Sequence, residues 1–112
     1  MRYLPFGSTG AIVSELGFGG IPIIRLTTED AVRVLKRAYD RGITFFDTAN
    51  SYEGSEEKIG SALSGVREKI FIATKSKNRD GKGVTEHIDL SLKRMKTDYV
   101  DLFQFHQVVQ EK

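Results

Sequence analysis

Apolar positions change their spacing along this chain in a regular way, and the changes mark its elements. Tyr3-Leu4-Pro5-Phe6 and Ala11-Ile12-Val13 flank the turn cluster Gly7-Ser8-Thr9-Gly10, which predicts a short hairpin capping the main fold. Leu16-Gly17-Phe18-Gly19-Gly20 reads as a glycine-rich buried strand running into a loop. Thr27 with Asp30 three residues on resembles a capping box. Ala31, Val34, Leu35 and Ala38 then recur at helical spacing until Gly42, predicting a first helix.

The next run, Ile43 to Phe46, is β-branched and aromatic with only Thr44 polar, as suits a parallel strand covered on both faces and ending at Asp47. Ser55 is expected to cap a second helix. Glu56 and Glu57 sit in its first turn where the helix dipole favours them, Ile59, Ala62 and Leu63 form its buried side, and Gly65 closes it. Ile70 to Thr74 predicts a third strand; Val84, Ile88, Leu92 and Met95 predict a third helix; Tyr99 to Phe105 predicts a fourth strand.

Strand and helix patterns alternating in this way argue for parallel strands joined by helical crossovers. Gly19, Asp47, Lys75 and His106 stand at the carboxyl ends of successive predicted strands, at intervals of 28, 28 and 31 residues. An eight-unit (β/α)8 TIM barrel of ~250 residues has units of about 31 residues. The chain therefore fits the first half of an α/β barrel: an N-terminal hairpin, four parallel strands and three helices, with residues 1–112 forming one portion of a single domain and no internal boundary. An open doubly wound sheet has similar units, and periodicity alone leaves both open.

Composition narrows the function. Of 112 residues, 39% are hydrophobic and 29% charged, which suits a folded domain with one modest core. The net charge of +2 is too small to imply a polyanionic partner, although residues 67–96 carry nine basic and four acidic side chains. Without cysteine there is no disulfide framework, thiolate metal site or cysteine nucleophile, and a reducing cytoplasm is the expected setting. The N-terminus has no long apolar segment and Pro22 interrupts the aliphatic stretch Ile21–Ile24, so no membrane association is expected. Lys75, Lys77, Arg79 and Lys82 cluster in one stretch, but no aromatics interleave and Asp80 interrupts it, so no nucleic-acid partner is expected. Ser76 to Gly83 reads instead as a mobile, solvated connection.

A dinucleotide fingerprint starting at Gly17-Phe18-Gly19 would need glycine at position 22, where Pro22 stands. No phosphate-binding loop, HExxH helix or GxSxG elbow occurs, and no metal site is expected. The remaining polar residues gather at predicted strand ends, the edge at which parallel α/β folds bind ligands. Asp47, Lys75 and His106 end or follow apolar strands, and Tyr52 lies five residues beyond Asp47. Taken singly, each is more commonly a cap, a solvated charge or a surface aromatic; together they supply what carbonyl reduction requires. A phenol is a weak acid in water, and an adjacent ammonium strengthens it by stabilising the phenolate. Asp47 would hold Lys75 charged and oriented, while His106 would donate a hydrogen bond to the carbonyl oxygen. A Schiff-base role for Lys75 in a barrel aldolase is the competing chemistry.

Phe46-Asp47-Thr48-Ala49-x-x-Tyr52, followed by Gly54-Ser55-Glu56-x-x-Ile59-Gly60, resembles the signature of the aldo-keto reductases. Leu16-Gly17-Phe18-Gly19, Ala73-Thr74-Lys75 and Tyr99-Val100-Asp101-Leu102-Phe103-x-x-His106 match in the same order, so the resemblance covers nearly the whole chain. It implies a (β/α)8 barrel and NADPH-dependent reduction of an aldehyde or ketone to an alcohol. It also implies a catalytic tetrad on Asp47, Tyr52, Lys75 and His106 with Tyr52 as proton donor, and Gly20, Ile21 and Asp47 near the nicotinamide ribose and pyrophosphate. NADP in preference to NAD is likewise an implication of the family. An NADP(H)-binding regulatory or sensor subunit with little turnover is the alternative. Because family members complete eight strands, the chain is expected to be a truncated portion, inactive alone or associating with itself or with a complementary C-terminal half, since its terminal strands would leave open edges.

Overall fold

The computed structural model describes residues 1–109. β1 (Tyr3–Pro5) and β2 (Ile12–Ser14) pair antiparallel as the expected hairpin. β3 (Gly17–Gly19), β4 (Phe45–Asp47), β5 (Phe71–Ser76) and β6 (Leu102–Phe105) form one parallel sheet, in that order. α1 (Thr28–Asp40), α2 (Ser55–Leu63) and α3 (Gly81–Met95) connect them, with 3-10 segments at Pro22–Arg25 and Ser64–Lys69.

Successive side chains of a strand point to opposite faces, and the two cores follow that alternation. Phe46 and Ile72 face the helices and are buried with Ala31, Leu35, Ile59, Leu63 and Met95. Their neighbours Phe45, Phe71 and Ala73 face the other way, against Phe6 and Val13 of the hairpin. Phe6, Phe45 and Phe71 form an aromatic triad with ring centroids 5.0–5.5 Å apart. Ser14 and Thr44 lock the hairpin to the entry of β4 by exchanging backbone N–H to hydroxyl bonds of 3.0 and 2.9 Å. All three helices thus cover one face and the strand order never reverses. A doubly wound sheet has helices on both faces and a reversal in its strand order; a segment of barrel wall has neither.

Thr27 accepts the Asp30 N–H as the expected N-cap, and the first helix ends before Gly42, whose φ of 101° is left-handed. Elsewhere the boundaries move. The cap of α2 is Gly54 at φ 76°, so Ser55 is the first helical residue rather than the cap, and its hydroxyl is free for another use. The helix ends at Leu63 and runs into the second 3-10 segment, so Gly65 does not close it. β4 starts two residues later than expected, β5 extends to Ser76, and β6 begins only at Leu102. Asp101 explains the last shift: its carboxylate accepts the Ile72 N–H and pairs with buried Arg67, ending the approach loop just before the strand. The expected loop from Ser76 to Gly83 contracts to residues 77–80, because Asp80 caps α3 through the Gly83 N–H.

α2 and α3 cross at Gly60. A Cβ there would lie 2.6 Å from the Arg94 carbonyl oxygen and 2.7 Å from the Met95 Cα. The two backbones meet directly, which only glycine allows.

Candidate active site

Asp47 and Lys75 lie on adjacent strands with their side chains on the hairpin side of the sheet, at its carboxyl end. In the register Asp47 faces Ala73, two residues before Lys75, so the lysine reaches back diagonally. Lys75 Nζ donates to both carboxylate oxygens of Asp47 at 3.1 Å and to the Thr48 carbonyl at 2.8 Å. Three acceptors thus surround Nζ, matching in number the donors of an ammonium. A Schiff-base lysine needs a free amine, so this geometry disfavours the aldolase reading.

Tyr52 arrives from the turn after β4. The turn is fixed at its start by Asn50, whose N–H donates to the Lys75 carbonyl at 2.9 Å, and at its end by the Ser55 N–H donating to the Tyr52 carbonyl. Lys75 Nζ lies 5.1 Å from the centre of the Tyr52 ring. His106, whose N–H continues the ladder onto the Ser76 carbonyl, meets Tyr52 edge-on with ring centroids 5.5 Å apart. Its Nδ1 lies 3.4 Å from the Ser51 hydroxyl. The structure therefore brings Asp47, Tyr52, Lys75 and His106 together on one rim.

The imidazole of His106 is driven below its ordinary pKa, first by burial and then by the positive charges of Lys75, Lys77 and Arg79; Asp47 opposes the shift. Arg79 also anchors this corner, donating to the Ser76, Lys77, Asn78 and His106 carbonyls. The connection after β5 is pinned on the site rather than loosely solvated.

Gly20 is buried, donates its N–H to the Asp47 carbonyl at 2.8 Å and accepts the Ser55 hydroxyl at 3.0 Å. A Cβ there would lie 2.6 Å from the Ser55 Oγ and 2.9 Å from the Asp47 carbonyl oxygen. Its backbone polar groups are thus used internally, and its contribution is to be thin enough for the loop to cross beside β4. Ile21, by contrast, is 56% exposed at the rim. Lys58 steadies this loop by donating to the Ile23 and Ile24 carbonyls at 2.9 and 3.1 Å.

Sequence reasoning placed Glu56 at a helix dipole, but its carboxylate is completely buried. It accepts the Thr74 hydroxyl at 2.7 Å and an Arg94 N–H at 3.0 Å. A signal existed: Ile59, Gly60 and Leu63 define a buried stripe, and one turn back along it stands Glu56.

Comparison with known proteins adds to this geometry. A family model described as the aldo/keto reductase family matches residues 15–112. The uncharacterized oxidoreductase YqkF of Bacillus subtilis is 35% identical over 122 residues, covering 95% of this chain and 39% of that protein. L-galactose dehydrogenase of Arabidopsis thaliana is 35% identical over 117 residues, covering 91% of this chain and 37% of that protein. Among solved structures, the holo form of aldo-keto reductase AKR11C1 from Bacillus halodurans superposes with a TM-score of 0.84 at 34% identity, covering 94% of this chain and 40% of that one. The chain spans about two fifths of the length of these relatives.

Proposed function

The chain belongs to the aldo/keto reductase family, and we propose that its rim residues form the acid side of an NADPH-dependent reduction of an aldehyde or ketone. The observation carrying this reading is the placement of one ammonium, tied to Asp47, 5.1 Å from the Tyr52 ring centre, with the His106 ring across it.

NADPH, when bound, would supply the hydride. Tyr52 donates its hydroxyl proton to the oxygen of the developing alkoxide, and the Lys75 ammonium stabilises the phenolate left behind. Asp47 keeps that ammonium charged and fixed in direction. His106, held neutral by burial and surrounding cations, donates a hydrogen bond to the carbonyl oxygen without competing with Tyr52 as an acid. The residues present fit the nicotinamide-ribose end of the cofactor: Asp47 is 41% exposed beyond its lysine and can accept from a sugar hydroxyl, and Ile21 offers an apolar surface. Gly20, whose lack of a side chain lets the loop cross beside β4, would carry Ile21 to this end. The reaction belongs to a complete barrel, with the open edges of β3 and β6 paired by a second copy or by a complementary C-terminal half.

The test is carbonyl-dependent oxidation of NADPH with a reactive aromatic aldehyde, using this chain alone and mixed with the C-terminal half of a homologous reductase. Tyr52→Phe should lower turnover by roughly 10²–10⁴-fold, the usual contribution of a positioned acid, while cofactor binding persists. Lys75→Met should behave nearly alike. Retained turnover in Tyr52→Phe would remove the proton-donor assignment, and tight NADPH binding without turnover in the unaltered protein would favour the sensor reading.

A further inference from the structure

The Tyr52 hydroxyl makes no hydrogen bond of its own among the described residues, so its position depends on the turn that carries it. That turn is gripped at Asn50 from three sides. The Asn50 N–H binds the Lys75 carbonyl of β5, its side-chain amide reaches Ser91 of α3 at 3.4 Å, and its carbonyl accepts an N–H of Arg94, also on α3, at 3.0 Å. The same Arg94 Nη1 donates to Glu56 Oε1 at 3.0 Å, and the other oxygen of Glu56 accepts the hydroxyl of Thr74, the residue before Lys75. A second contact runs from Arg94 Nε to Glu57 at 3.7 Å.

A fully buried carboxylate is costly unless charged and hydrogen-bonded partners satisfy it. A helix whose first turn could have met solvent with any polar residue instead carries that carboxylate inward, against strand and helix together. Charge-assisted bonds are shorter and stronger than neutral ones and hold a planar guanidinium in one orientation. We propose that Glu56 and Arg94 are positioning residues for Tyr52: the buried pair aims one guanidinium N–H at the Asn50 carbonyl and thereby sets the distance of the tyrosine turn from Lys75 and His106. Neither side chain touches the reacting atoms, and the inference rests on Tyr52 being the proton donor.

The test reads the geometry directly and does not depend on turnover. In the full chain, the nuclear Overhauser cross-peak between the Tyr52 ring and the His106 ring reports their contact. Glu56→Gln should weaken this cross-peak severalfold, because the neutral amide removes the charge that orients the Arg94 guanidinium and turns one of the two acceptor oxygens into a donor, while the Phe18–Phe46 cross-peak of the core persists. Arg94→Lys, which retains a charge for Glu56 but lacks the planar fork, should also weaken it, and stands in should Glu56→Gln fail to fold. Asp101→Asn breaks the Arg67 ion pair at the opposite end of the sheet and serves as the control for general loosening; it should leave the cross-peak unchanged. An unaltered cross-peak in folded Glu56→Gln or Arg94→Lys, or an equal loss in Asp101→Asn, overturns the proposal. Retained turnover in Tyr52→Phe beside a Glu56-dependent cross-peak would instead discard the proton-donor reading and leave the placement of the Tyr52 ring by Glu56 and Arg94 intact.

Discussion

Replacing Gly60 by alanine sets two effects of opposite sign against each other, and the structure decides between them. In a helix interior, alanine is favoured over glycine by about 1 kcal/mol, so propensity predicts a more stable protein. At Gly60 the new Cβ would sit 2.6 Å from the Arg94 carbonyl oxygen and 2.8 Å from the Met95 carbonyl carbon, all backbone. No rotamer change relieves such a clash, so α2 and α3 must separate. Restoring an ordinary 3.4 Å contact from 2.6 Å requires about 0.8 Å of opening, and a gap of 0.5–1 Å already forfeits roughly a quarter to a half of each dispersion well along the seam. Overpacking of this kind costs ~1–3 kcal/mol beyond what it replaces. Because the clash is entirely with backbone, we expect the upper part of that range, ~2–3 kcal/mol, and subtracting the propensity gain of about 1 kcal/mol leaves Gly60→Ala destabilised by about 1–2 kcal/mol net, lowering the melting temperature by roughly 4–8 °C per kcal/mol for a domain of this size. Urea denaturation followed by circular dichroism measures it, with Gly65→Ala as control, since no atom lies within 4 Å of a Cβ there. A Gly60→Ala protein as stable as the parent would refute the reasoning that the helices touch through their backbones.

The remaining predictions concern charge and capping. His106 should titrate below the ordinary 6.5 in the folded chain; its Hε1 resonance, distinguished from that of His87 by a His87→Gln variant, measures this. Unfolded chains take up that proton first, so the His106 contribution to stability is present above pH 6.5 and is lost as pH falls from there through the folded midpoint. Lys75→Met should raise the midpoint only partway, because burial is the larger cause. A midpoint at or above 6.5 in the parent chain would contradict the burial argument. Thr27→Ala removes the hydroxyl that accepts the Asp30 N–H and should cost about 1 kcal/mol in the same urea experiment; Thr27→Ser should restore it.

What could be read from the sequence was whatever depends on periodicity and on residue type at strand ends. Phe45 and Phe46, with no polar alternation, indicated a strand with two covered faces, and the packing of one against the hairpin and the other against the helices bears that out. The regular recurrence of Asp47, Lys75 and His106 placed all three on one rim because parallel strands in chain order put equivalent positions side by side. Hidden from the sequence were partners separated by tens of residues. Asp101 looked like part of a strand, yet its hydrogen bond to Ile72 makes it the stop before one. Ser55 looked like a cap, yet a left-handed Gly54 does that work and the hydroxyl turns to Gly20. Glu56 reads from the sequence only as an acid that the helix dipole favours; the presence of Arg94 and Thr74 is what makes its burial tolerable.

The succession β3-β4-β5-β6 in space is also the succession in which the strands are synthesised. No strand has to wait for a later one to slip between neighbours already joined, so loop closure is confined to one crossover at a time. On a ribosome adding ~5–20 residues per second, β4 can dock on β3 before β6 exists. The Asp47–Lys75 pair can form before α3 is finished, whereas the hold of Arg94 on the tyrosine turn waits for that helix. The topology thus permits the rim to be assembled in chain order, the salt bridge preceding the contacts made by α3 and by His106, just beyond β6.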